Sequence, residues 1–139
     1  MRRSALLLAT MGLALLLASG VALGATRIVT KTFSNTSQIQ ILDATVEFGP
    51  KPADPYPSEI NVSGFRRGSV RDVNLVFKGY THTFPEDVGV LLVGPRGQKI
   101  LVMSDVGGKF FDVFGVNLTL DEEAESPLPS STSFISGTY

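Results

Sequence analysis

The sequence predicts an all-β fold of the sandwich or jelly-roll kind, on three observations. After residue 25 no segment carries apolar residues at helical spacing over three turns. Short runs rich in Val, Ile, Phe and Thr recur instead, each bounded by Gly or Pro. One of them, residues 88–103, reverses about a Gly-Pro-Arg-Gly turn and reads as a hairpin. Several short strands separated by regular turn signals favour two packed sheets over a helical or α/β architecture.

Taken in order, RIVTKTF at residues 27–33 is a first candidate strand. A polar turn at Asn35, Thr36 and Ser37 separates it from Ile39, Gln40 and Ile41. Residues 49–57 read GPKPADPYP, with four prolines in nine residues. Each proline lacks the N–H that a sheet ladder needs, so this stretch is expected to be a linker or an extended edge loop. Residues 59–63, EINVS, alternate polar and apolar. In the next run Val73, Leu75 and Phe77 are expected on one face, with Asp72, Asn74 and Lys78 on the other. The nearly unbroken apolar run 88–93 predicts a central strand covered on both sides. Gly97 is free to take a positive φ in the turn, and residues 99–103 return. Residues 116–120 form a last alternating strand, and the tail 126–138 is rich in Ser, Thr, Pro and Gly. No repeat recurs at a fixed period.

The amino terminus has the three parts of a secretory signal peptide. Arg2 and Arg3 supply positive charge, an apolar stretch runs from Ala5 to about Ala18, and Gly20, Ala22, Gly24 and Ala25 are small exit residues. Residues 1–24 are therefore expected to be removed, after Gly24 or Ala25, by the general export route. The alternative is a membrane anchor, but Thr10, Gly12, Ser19 and Gly20 interrupt the run, and a span needs about 20 predominantly apolar residues. The expected product is secreted or on the cell surface, with no stable membrane span after cleavage.

Roughly 115 residues then remain, enough for one domain with one modest core. The net charge of −1 offers no electrostatic case for nucleic acid or an anionic membrane. The chain has no cysteine, which removes disulfides, thiolate catalysis and zinc–thiolate sites together. Stability must come from the core, a bound ion or a partner.

Three stretches together resemble the P domain, or Homo B domain, that follows the catalytic domain in subtilisin-like proprotein convertases. The first is YPSEINVSG at residues 56–64, leading into VRDVNL at 70–75. The second is THTFPEDV at 81–88 followed by LLVGPRG at 91–97, and the third is MSDVGG at 103–108 followed by LTLDEEA at 118–124. The resemblance covers residues 56–139 and implies a jelly-roll β-sandwich of the galactose-binding-like kind, behind an N-terminal lead and Pro-rich linker at 25–55. In convertases such a domain packs on the protease and supports its stability; in bacterial exported proteins similar domains also occur without a protease. Nothing here resembles the protease domain. The family's module continues past Ser-Gly-Thr-Tyr into strands that include a Trp-containing segment, and this sequence has no Trp. That departure predicts an incomplete sandwich, either a truncated product or one whose missing strands a protein partner supplies.

The expected function is a non-catalytic, exported module for protein association or for stabilising a larger assembly. Two alternatives stand beside it: an accessory fragment of a secreted subtilisin-like serine protease, and a carbohydrate-binding or adhesive surface module. His82 is the sole histidine; a triad with a serine and Asp72 or Asp87 can be drawn, but no nucleophile elbow or oxyanion hole accompanies it. A hydrogen-bonded structural histidine at a strand end is expected instead. No cofactor motif is present. Calcium is the one ion the composition suggests, with Asp87, Asp105, Asp112, Asp121 and Glu122, joined by Glu123, as candidate ligands. No EF-hand spacing supports it, and acidic loop residues also simply solvate a surface. Arg66 and Arg67 can meet an acidic partner or solvate a turn. Phe110, Phe111 and Phe114 can form a platform for sugars or plug the space beneath a loop. Asn35, Asn61 and Asn117 each begin an Asn-x-Ser/Thr sequon.

Overall fold

The computed structural model describes residues 27–42 and 49–139. The expected signal peptide at 1–24 lies outside the described residues. One compact unit spans Phe33–Tyr139. Among its described residues the regular structure is five strands and one short 3-10 turn: β1 (Leu75–His82), the turn Pro85–Asp87, β2 (Val90–Val93), β3 (Lys99–Met103), β4 (Val113–Leu120) and β5 (Gly137–Thr138). The fold is all-β. Among the described residues no helix is long and apolar enough to cross a membrane.

The strands form two small sheets. In the larger, β4 lies between β1 and β5, antiparallel to the first and parallel to the second. In the smaller, β2 and β3 pair antiparallel as the hairpin expected from residues 88–103. Its turn closes through Gly94 N–H donating to the Gln98 carbonyl at 2.8 Å, with Gly97 at φ 80°. A three-residue half of that reversal is further held by Arg96 N–H on the Gln98 side-chain carbonyl at 3.0 Å.

The β1–β4 ladder is bent by register shifts on either side of Tyr80. Extra residues at a shift leave backbone groups off the ladder. Side chains take them up: Gly79 N–H donates to Asn117 Oδ1 at 3.0 Å, and Gly115 N–H donates to Thr81 Oγ1 at 2.9 Å. At the far end β5 is short, but Tyr139 extends its hold on β4. Tyr139 N–H donates to the Thr119 carbonyl, and Asp121 N–H donates back to the Tyr139 carbonyl, both at 2.9 Å.

One core joins the two sheets. Val113, Val116, Leu118 and Leu120 of β4 pack with Tyr80 of β1, Met103 of β3, Val88 and Phe134. Gly107 is placed against this core by a close approach. At φ 92° it faces Pro85 and Phe134 so tightly that a Cβ would collide with both.

Several expectations fail for a common reason, the lack of a laddered neighbour. Residues 27–33 and 59–63 form no strand, and Ile28, Ile60 and Val62 are exposed. Val73 precedes β1 and is exposed too, so the face expected from Val73, Leu75 and Phe77 narrows to the last two, both half-buried. The run 88–93 is no central strand: β2 pairs only with β3 among the described residues, and Leu91 and Val93 are exposed. The central strand is β4, which the alternation at 116–120 located but cut short by three residues. The proline-rich stretch does carry one bridge, between Asp54 and Gln40, with reciprocal hydrogen bonds of 2.7 and 2.8 Å. Asp54 still has the N–H that its proline neighbours lack. The Gly- and Ser-rich tail supplies β5.

Candidate functional site

Between the β2–β3 hairpin and the end of the β1–β4–β5 sheet runs an open groove of about 880 Å³. Leu75 and Leu120, a cross-strand pair, line one side; Leu92 and Ile100, also a pair, line the other; Leu128 and Tyr139 lie along it. Residues 100–104 all contribute, as do residues 70–73. Ile100 and Leu101 expose more than half their surface. A second hollow of about 310 Å³ is polar and lies at the Gln40–Asp54 bridge, away from the sheets.

Acidic residues mark one end of the groove. Asp72, Asp121 and Glu122 line it, with Arg71 as the basic residue among them. Chain geometry brings Asp72, Asp121 and Glu123 together, their carboxylate oxygens within 4.8 Å of one another. Asp72 precedes β1 and Asp121 follows β4, so the Leu75–Leu120 pairing is what draws these two acids close. Asp121 also shapes the turn: its Oδ1 accepts from Glu123 N–H at 2.9 Å, and its carbonyl accepts from Ala124 N–H at 3.0 Å. A side-chain hydrogen bond with Asp121 and, next, the charge of Asp72 hold the Glu123 carboxyl above its usual range. Slight desolvation and the charges of Asp121 and Glu122 add to the shift.

Of the residues proposed from the sequence as calcium ligands, Asp121 and Glu123 belong to this group and Glu122 adjoins it. Asp87, Asp105 and Asp112 are not brought into it. Asp105 instead accepts from the hydroxyl of its neighbour Ser104, and Ser133 Oγ donates to the Asp112 backbone carbonyl at 3.2 Å. Asp72 is the member that ligand reasoning missed. Its only sequence signal was its position just before a strand whose partner ends at Leu120, next to Asp121. One oxygen from each carboxylate would supply three of the six to eight that calcium takes, leaving the rest to second carboxylate oxygens, backbone carbonyls or water.

His82 is a local brace: its Nδ1 accepts from Phe84 N–H at 3.0 Å at the end of β1. Asn35 is a clasp, donating to Ser58 Oγ at 3.3 Å and to the Glu59 carbonyl at 3.0 Å while its Oδ1 accepts from Ser37 N–H. Phe110 and Phe114 are exposed, at 87 % and 65 %, while Phe111 at 43 % is more than half covered and sets its ring edge beside Gly108.

No family model, curated protein or solved structure matches this chain.

Proposed function

We propose that this chain is an exported, non-catalytic module of the P-domain kind that acts by protein association. The observation that carries it is the open apolar groove between the hairpin and the larger sheet. Burying a Leu or Ile side chain is worth about 1.5–3 kcal/mol, so covering Ile100, Leu101 and their neighbours is a substantial driving force for a protein partner. Two small sheets sharing one core support a sandwich, and a jelly-roll sandwich is the arrangement proposed for it.

The test is a photo-crosslinking amino acid placed at Ile100, in the groove, and at Lys51, away from it, in the producing cell. The expected result is one defined protein adduct from position 100 that is absent from position 51. Identical adduct patterns at the two positions overturn protein association through the groove. Casein hydrolysis by the purified chain, lost in His82→Ala, overturns the non-catalytic assignment.

The exposure of Phe110, Phe111 and Phe114 favours a second reading, an adhesive or sugar-binding surface.

A further inference from the structure

The groove has a direction, and this narrows what fills it. Side chains alternate between the two faces of a strand. A hollow lying on one face of β3 would therefore be lined by every second residue. Residues 100–104 line it consecutively, and Leu92 joins from the face it shares with Ile100, so the hollow covers that face and continues along the edge of the strand. Residues 70–73 also line it consecutively, as backbone that belongs to no strand. Among the described residues β3 pairs only with β2, which leaves the N–H and C=O groups of its other edge without a ladder partner. Unpaired edge groups beside apolar side chains are the elements of strand addition, in which an incoming chain gains main-chain hydrogen bonds and side-chain pockets together.

The charge at one end selects the incoming chain. Asp72, Asp121 and Glu122 outnumber Arg71 in the lining, and Glu123 stands against the same acids. A cationic side chain at this end would relieve their mutual repulsion, whereas an acidic one would add to it. We infer that the groove takes an extended segment of a partner protein, apolar at alternate positions, which adds to the edge of β3 and sets a Lys or Arg against Asp72, Asp121 and Glu122. This rests on the protein-association reading and deepens it.

The probes are two fluorescein-labelled nonapeptides, each alternating Val and Thr, one ending in two arginines and the other in two glutamates. Titrated into the full chain, the arginine peptide is expected to bind about tenfold more tightly or better. It should also slow amide exchange along residues 99–103. The double substitution Asp72→Asn with Glu122→Gln, at two exposed positions, should shrink the difference to about twofold, and Ile100→Glu should abolish binding of both peptides.

Equal binding of the two peptides overturns the basic occupant while leaving docking in the groove intact. If neither binds but the crosslinker at position 100 still captures its partner, the extended-segment inference falls and the association reading survives. If neither binds and no adduct forms, both fall. A dimer in sedimentation that Ile100→Glu returns to monomer identifies a second copy as the occupant and also overturns the inference.

Discussion

In β4, Val113, Val116, Leu118 and Leu120 are buried, and Leu118 has no exposed surface at all. In the hairpin, Leu91, Val93, Ile100 and Leu101 remain between 46 % and 62 % exposed. The hairpin is the more apolar of the two by composition, for β2 is VLLV and β3 is KILVM, whereas β4 is VFGVNLTL. Burial therefore follows the neighbours a strand acquires rather than its own hydrophobicity. β4 has a strand on each side and core residues from β1, β3 and the tail packed against it. The hairpin has its own partner strand and, along β3, an open groove.

The sharpest way to break this contrast is a pair of truncations. Leu118→Ala should cost about 3 kcal/mol, as expected for a fully buried leucine whose cavity cannot collapse. Leu101→Ala should cost about 0.5 kcal/mol or less, because solvent already reaches it. Urea unfolding of the two variants beside the parent chain measures both. Comparable losses would mean that the hairpin is covered in solution, and the distinction between the two regions would disappear.

The same contrast explains what the sequence could disclose. The hairpin was legible almost to the residue, because its turn signal and both strands are contiguous and its pairing is local. The strand at 116–120 was legible as a strand, but not as the centre of the sheet. Its neighbours β1 and β5 come from about 40 residues before and 20 after, and no local pattern encodes that pairing. Alternation at 59–63 was misleading, since period-2 patterning states which face a strand would bury only if a partner is there. The acidic group was half legible. Asp121 and Glu123 lie in one turn, but Asp72 joins them only through the Leu75–Leu120 register. The exposure of Phe110 and Phe111 was left open between two readings because loop spacing carries no face, and Phe114, read as part of that loop, stands on β4.

A second way to sharpen the comparison lies within the buried sheet. The Tyr80 ring packs against Phe134 at a centroid distance of 5.9 Å, and its hydroxyl is buried without a hydrogen-bond partner among the described residues. Leaving such a donor unpaired costs about 1–3 kcal/mol, so Tyr80→Phe should raise stability by about 1 kcal/mol. Burial also pushes the Tyr80 phenol above its ordinary value of about 10. Above that pH the unfolded chain has released the proton while the folded chain still holds it, so stability is intact below about pH 10 and declines as the pH rises. Tyr80→Phe should flatten this alkaline loss, measured as unfolding midpoint against pH from 8 to about 11. An unchanged alkaline slope would show that the hydroxyl has a partner or reaches water.

The smallest effect is expected at the exposed acids, where the groove ends. The Glu123 carboxyl is held high by its hydrogen bond with Asp121 and by the charge of Asp72. A raised carboxyl favours the folded state at acid pH, and that contribution is lost as the pH rises through the folded pKa. Asp72→Asn removes one of the two main causes, so the Glu123 titration should move down toward its ordinary range while the unfolding midpoint at neutral pH barely changes. Carbon-detected NMR titration of the side-chain carboxyls resolves the two acids separately. Repeating it with millimolar calcium makes the comparison a test of what the cluster is. A further drop in Glu123, larger than sodium chloride of equal ionic strength produces, would show that the carboxylates converge on the ion. A response no larger than that of the salt would leave them as a negatively charged groove end, available to a basic side chain, and would place the chemistry of this region in the open edge of β3 rather than in a metal.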